Sequence, residues 1–65
     1  MFTYEELLRD AKKYFAGKGV YSKAIFDWFH VIGLSKYVHY SIVEKLMFRL
    51  RQDLWNFFTE VKLDD

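Results

Sequence analysis

Glycine is the helix-breaking residue of this chain, which contains no proline. Gly17, Gly19 and Gly33 divide the sequence into three segments, and in each segment apolar residues recur at intervals of three and four. That spacing is typical of amphipathic helices, and glycine often follows the last turn of a helix. The sequence therefore predicts an all-α fold, a small bundle of three helices whose chain reversals lie at the glycines.

The first segment opens with a match to the capping box, in which Thr3 and Glu6 satisfy free N–H groups of the first helical turn. Phe2 stands where a hydrophobic staple would begin. The helix is expected to stop at residues 16–17, where glycine can adopt the left-handed conformation. Its apolar residues share one predicted face: Tyr4, Leu7, Leu8, Ala11, Tyr14 and Phe15.

The second segment covers residues 22–32, with Ser22 as the predicted N-cap. Only three of the residues that follow Ser22 are polar. A helix that is apolar nearly all round is buried on most sides. We therefore predict that this is the central helix of the bundle, and that Trp28 and Ile32 lie in the core.

The third segment is the longest. Ser41 is its predicted N-cap, with Ser35 as an earlier alternative, and the helix is expected to reach about Val61. The chain between Gly33 and Ser41 is predicted either as a short fourth helix near residues 35–39 or as a loop. A broad apolar stripe follows the helix: Ile42, Val43, Leu46, Met47, Leu50, Leu54, Phe57, Phe58 and Val61.

Length and composition constrain how such a bundle becomes stable. Residues 1–65 are predicted to form a single helical domain, and a chain this short buries only about 60% of its unfolded surface. It has no cysteine, so disulfides are excluded, but 22% of its residues are aromatic. Dense aromatic packing and self-association are the remaining routes to stability. A homo-oligomer is therefore one expectation.

Charge and hydropathy limit the partners and the cellular location that we expect for this protein. The formal net charge is +1, which is not the footprint of a strong nonspecific nucleic-acid binder. The longest stretch without Asp, Glu, Lys or Arg is Trp28–Ser35, too short to cross a membrane. The first residues lack the basic start and apolar stretch of a signal peptide. These features predict a cytoplasmic protein with no membrane partner.

No motif of an enzyme is present. The sequence contains no phosphate-binding glycine loop, no G-x-S-x-G and no H-E-x-x-H. Asp27 and His30 are three residues apart on one predicted helix and could touch, but a pair on the polar edge of that helix explains them more simply. We expect no catalytic residues, no metal site and no cofactor.

One stretch resembles the DNA-reading helix-turn-helix unit. It starts at Trp28, and Gly33 would occupy the turn. The buried positions would then be Trp28, Ile32, Leu34 and Ile42, and the residues facing the major groove would be Ser35, Lys36, Tyr37, Tyr40, Ser41 and Glu44. Phe29 and His39 depart from the motif, because it packs a small residue and an aliphatic one at those positions.

A basic cluster precedes this stretch. It consists of Arg9, Lys12, Lys13, Lys18 and Lys23, with Asp10 as the only acid between them. Such a cluster could meet phosphate or an acidic partner. A solvated face, with cations favourably placed near a helix C-terminus, is the interpretation we favour.

The third helix carries a second set of large residues outside its apolar stripe. Phe48 and Trp55 are seven residues apart and share a face with Glu44, Arg51 and Lys62. Aromatic residues beside arginine are typical of the energetic centres of protein interfaces. The alternative is that both rings pack under the N-terminal segment or under the chain between Gly33 and Ser41.

Two functional hypotheses follow. The first is a small non-enzymatic protein-interaction module, a regulator or inhibitor that binds another protein, or itself, through the aromatic face of the third helix. The second is a DNA-binding transcriptional regulator of the helix-turn-helix type, which would use Lys36, Tyr37, Tyr40 and the basic cluster. The first is favoured, because Lys36 is the only cation on the reading face and Glu44 would face phosphate.

Overall fold

A computed structural model describes the backbone of residues 3–63 and the side chains of residues 3–59. Within that part of the chain there are three α-helices: α1 is Tyr4–Tyr14, α2 is Ser22–Val31 and α3 is Tyr40–Leu63. The predicted all-α fold with a long C-terminal helix is confirmed. A single turn of 3-10 helix at Leu34–Lys36 overlaps only the start of residues 35–39, where a short fourth helix was one of two predictions.

The start of α1 forms the Thr3 half of the predicted capping box, whereas the Glu6 carboxylate accepts from the Thr3 hydroxyl and not from a backbone N–H. The Glu6 backbone N–H donates to the Thr3 hydroxyl oxygen at 3.2 Å, and that hydroxyl donates to the Glu6 carboxylate at 3.3 Å. Phe2, the predicted staple residue, lies outside the described residues. The helix ends at Tyr14, where the Phe15 N–H donates to the carbonyl of Ala11 at 2.8 Å. The end therefore comes slightly earlier than the predicted stop.

The environment of α2 corrects three predictions, the first being its place in the bundle: α3 and not α2 is the central helix, because α3 packs against both α1 and α2. The N-cap of α2 is Tyr21, which has extended backbone, and Ser22 is already the first helical residue. The helix buries only one side, because Val31 is 76% exposed and Ile32 is 45% exposed. The prediction that Ile32 is a core residue was wrong, whereas Trp28 is buried. Within residues 3–63, the two other helices supply no third layer that would cover the far side of α2.

The connection from α2 to α3 depends on Gly33. Its φ of 80° lies in the left-handed region that favours glycine. Lys36 then donates its backbone N–H to the Gly33 carbonyl at 3.1 Å, which closes the 3-10 turn. The next turn of chain leads into α3.

His39, the residue before the first residue of α3, caps the start of that helix in place of either predicted serine. Its carbonyl accepts from Val43 at 3.0 Å, and its ring Nδ1 accepts the Ser41 backbone N–H at 3.2 Å. The capping function predicted for Ser41 is therefore carried by the imidazole two residues earlier. The far end of α3 reaches Leu63, two residues beyond the predicted Val61.

The core is built around the inner faces of the three helices. Trp28 lies between Tyr14, which stacks on it with ring centres 5.7 Å apart, and Phe15, which meets it edge-on at 5.7 Å. Tyr14 and Ile42, both predicted on apolar faces, are exposed, and the side chain of Val61 is outside the described part. The buried residues are Leu7, Ala11, Phe15, Ile25, Trp28, Phe29, Leu34, Val43, Met47, Leu50 and Leu54.

A polar contact fastens the start of α1 to the middle of α3. The Tyr4 hydroxyl donates to the Asp53 carboxylate across 49 positions of sequence, and the Arg49 guanidinium lies 4.0 Å from the centre of the Tyr4 ring. A hydrogen bond to a charged group contributes more to stability than one between neutral groups. This contact therefore fixes α1 along one flank of α3.

Removing that hydroxyl should weaken the bundle without disturbing its packing. We expect Tyr4→Phe to lower the free energy of unfolding by about 1–2 kcal/mol, because it leaves the Asp53 carboxylate without its donor. Urea denaturation at neutral pH, followed by circular dichroism, measures the change. A Tyr4→Phe curve that overlays the wild type would contradict a stabilising role for the contact.

The same pair predicts a loss of stability in alkali. Burial, then the hydrogen bond to Asp53 and the charge of Asp53, raise the pKa of Tyr4 well above its usual value of 10.0. The unfolded chain therefore releases this proton at a lower pH than the folded chain. The contribution of Tyr4 is complete below about pH 10 and decreases as the pH rises further. Between neutral pH and about pH 11 the wild type should lose more stability than Tyr4→Phe.

Candidate functional site

The candidate site is the side of α3 that faces away from the core. Phe48 is 57% exposed and Trp55 is 63% exposed. Leu50 and Leu54, between them in sequence, are fully buried. At about 100° per residue, the two aromatic residues lie roughly 120° around the helix from this buried stripe. The folding of the single chain therefore leaves both rings in solvent.

This exposure decides between the two interpretations of the aromatic pair. Both rings are more than half exposed, so the alternative in which they pack against the rest of the chain was wrong. Phe48, Arg51, Gln52 and Trp55 line a shallow depression of about 410 Å³. Gln52 donates to Asn56 at 3.3 Å along its edge. The depression has aromatic ends and a guanidinium between them.

Glu44 belongs to the same side of the helix, one turn before Phe48. We call Glu44, Phe48, Arg51 and Trp55 together the α3 outer face. Arg51 and Glu44 are both exposed. Lys62, which was predicted to share this face, has a side chain outside the described part of the chain. The first four residues are therefore brought together as the sequence predicted.

The opposite flank of α3 is occupied by α1. The contact of Tyr4 with Arg49 and Asp53 lies there, and so does the Lys12 ammonium, 4.3 Å from the centre of the Phe57 ring. The α3 outer face is turned away from these contacts. It is consequently open along its length to another molecule.

The basic cluster does not form one open surface. Lys18 lies 3.9 Å from the centre of the Tyr14 ring and donates to the Tyr14 carbonyl at 2.9 Å. Lys23 pairs with Asp27 at 2.9 Å, and Arg9 lies 3.9 Å from Asp10. Lys12 contacts Phe57, as described above, and Lys13 is exposed. These cations are spread over α1, the following turn and α2, and most of them contact groups of their own chain.

The predicted reading helix of a helix-turn-helix is not formed. Lys36 ends the 3-10 turn, Tyr37 follows it, and Tyr40 begins α3, so the three residues do not share one helix. Ile32 and Ile42 were predicted as buried positions of the unit, but they are 45% and 50% exposed. Trp28 and Leu34 are buried as predicted. The residues predicted to form a helix-turn-helix are therefore not arranged as that unit requires, and this structural prediction was wrong.

The polar residues of α2 and of the turn after it pair differently from the prediction. Asp27 is engaged by Lys23, while the His30 Nδ1 lies 2.9 Å from the Ser35 hydroxyl and the His30 ring stacks on Phe26. The Asp27–His30 contact considered from the sequence is not made. Sequence spacing missed the Ser35 contact because it depends on the turn at Gly33.

The described residues contain neither a metal-binding cluster nor a membrane-spanning helix. Within residues 3–59, no group of three His, Cys, Asp or Glu side chains is placed to hold a metal ion. Among the described helices, none has the length and apolar character needed to cross a membrane.

A groove between α1 and the turn after α2 was not predicted. It measures about 670 Å³, and its polar rim is formed by Glu6 and Asp10. Leu7 and Leu34 are buried beneath it, and Ile32 and Tyr37 form an exposed wall. No local pattern joins α1 to the turn near Gly33, so only the packed fold reveals this groove.

Comparisons with protein family models, with characterised proteins and with solved structures find no significant match to this chain.

Proposed function

We propose that this protein is a non-enzymatic interaction module that binds a protein partner through the α3 outer face. The supporting observation is the exposure of Phe48 and Trp55 on a helix whose other side already supplies the core. In this proposal the chain acts as a small regulator or inhibitor. A domain of this size would act by binding to its partner and covering part of the partner's surface.

The energetics favour association through these two rings. Transferring the exposed part of each ring from water to an interface should contribute roughly 1–2 kcal/mol. Arg51 lies between them and can stack on an aromatic ring or bind a carboxylate of the partner with two hydrogen bonds. Exposed aromatic residues grouped around an arginine are the composition of interface centres.

The decisive experiment removes both rings together. We expect Phe48→Ser, Trp55→Ser to keep its helical circular dichroism, because neither ring is part of the core, and to lose binding to the partner. Binding is measured by affinity capture from the native host with mass spectrometry, and by sedimentation of the purified chain for self-association. Raising the salt should change the wild-type binding little, whereas phosphate contacts weaken steeply with salt.

A matched control changes two other exposed residues. Val31→Ser, Tyr37→Ser removes comparable apolar surface at the end of α2 and the wall of the groove, and it should bind as the wild type does. Three outcomes would contradict the proposal: an α3 variant that is unfolded, an α3 variant that is folded and keeps the wild-type set of partners, or a wild type that binds nothing and stays monomeric.

A further inference from the structure

Neither charge of the α3 outer face forms an ion pair with another side chain of residues 3–59. Glu44 and Arg51 are exposed on the same side of α3 but seven residues apart, a rise of about 10.5 Å, which is too far for an ion pair. The ion pairs described for residues 3–59 are Arg9–Asp10 and Lys23–Asp27. An acidic position and a basic position are thus held at a fixed spacing on one rigid surface.

That spacing is complementary to itself when two copies of α3 run in opposite directions. If Glu44 lies opposite the partner's Arg51, twofold symmetry places Arg51 opposite the partner's Glu44 as well. The symmetry axis then passes between Met47 and Phe48, so the two Phe48 rings lie beside each other. A parallel pair would instead place like charges opposite one another, which is unfavourable.

The aromatic residues fit the same arrangement. With the axis beside Phe48, Trp55 of one chain lies opposite the partner's Tyr40, the first residue of α3. Tyr40 is 63% exposed, as is Trp55. One antiparallel register therefore buries the exposed rings along this side of α3 and pairs both charges at once.

We propose that the partner is a second copy of this chain, packed antiparallel through α3 with Phe48 at the symmetry axis. This inference rests on the proposed function and names the occupant of the same surface. It also accords with the size of the chain, because a domain of 65 residues is near the limit at which oligomerisation commonly supplements a small core.

Charge reversal tests the register directly. Sedimentation equilibrium of the wild type should show a mass approaching twice the 7.9 kDa of one chain as concentration rises. Glu44→Arg alone and Arg51→Glu alone should each weaken dimerisation by at least about tenfold, because each places two pairs of like charges across the axis. The doubly reversed chain, Glu44→Arg with Arg51→Glu, should return to within about threefold of wild type, since the pairs are restored.

Mixing the two single variants gives an independent check. The Glu44→Arg chain then carries two cations on its α3 outer face and the Arg51→Glu chain carries two carboxylates. An equimolar mixture should form heterodimers more tightly than either variant dimerises alone, because both positions then meet an opposite charge across the axis.

The matched control for the charge reversals is Lys45→Glu. Lys45 is exposed on α3 but on another side of the helix, and its reversal should leave the dimer mass unchanged. Circular dichroism confirms that each variant is folded.

The outcomes separate this inference from the proposed function. A wild type that stays monomeric up to about 1 mM, weaker than the usual range of specific complexes, would overturn the homodimer. So would a Glu44→Arg chain that dimerises like wild type. If the chain is monomeric but Phe48→Ser, Trp55→Ser abolishes capture of a different protein, the homodimer fails and the proposed function stands. If that double variant still dimerises, both fail.

Discussion

Trp28→Ala is expected to lower the free energy of unfolding by about 3–5 kcal/mol. In a domain this small, that loss is enough to leave most molecules unfolded. Trp28 is 4% exposed and contacts three aromatic rings, those of Tyr14, Phe15 and Phe29. Truncation removes the largest side chain of the core and leaves a cavity between α1 and α2 that those rings cannot fill without leaving their own packing.

The matched control is the same substitution at the other tryptophan. Trp55→Ala removes an identical side chain from the exposed side of α3, and it should change the stability of the monomer by less than about 1 kcal/mol. Urea denaturation followed by circular dichroism compares the two at low protein concentration, so that association adds nothing to the measured stability. Equal losses at the two positions would contradict the structure's assignment of inner and outer surfaces.

Leu50→Ala is expected to cost about 2–5 kcal/mol. Leu50 is fully buried near the middle of α3, within the core that α1 and α2 share. The substitution creates a cavity within this core, and a helix in a packed bundle can relax only partly into such a space. The free energy of unfolding, again from urea denaturation, gives the magnitude.

Ile42→Ala is the control for that change. The sequence places Ile42 and Leu50 on the same apolar stripe, but in the structure Ile42 is exposed near the start of α3. We expect it to cost less than about 1 kcal/mol, mostly through lost partial contacts. An Ile42→Ala chain as unstable as Leu50→Ala would mean that the Ile42 side chain is packed in the core.

These core predictions are independent of the binding proposals. Trp28 and Leu50 act through the inner faces of the helices, whereas Phe48 and Trp55 act through the α3 outer face. Variants of the first kind should lose helical signal and binding together. Variants of the second kind should lose binding alone, because distant surfaces that share no partners behave additively.

The sequence by itself determined the features that depend on neighbours along the chain. Three glycines in a chain without proline predicted three helices, and the Thr3–Glu6 spacing predicted where α1 begins. Helical periodicity also placed Phe48 and Trp55 outside the apolar stripe of α3. Each of these follows from the fixed rotation per residue and from hydrogen bonds within one turn, so no distant contact was needed to predict them.

The tertiary structure decided which apolar residues are covered and which polar groups meet. Ile32 and Ile42 fit their predicted faces by spacing, yet about half of each side chain stays exposed because no helix within residues 3–63 covers it fully. His39 replaced the predicted serine cap, and Tyr4 reached Asp53 across nearly the whole chain. The physical reason is that periodicity fixes the direction in which a side chain points, whereas burial requires a second element in that direction. The three helices within residues 3–63 cover only one side of each other. The sides left uncovered include the surface that we propose binds the partner.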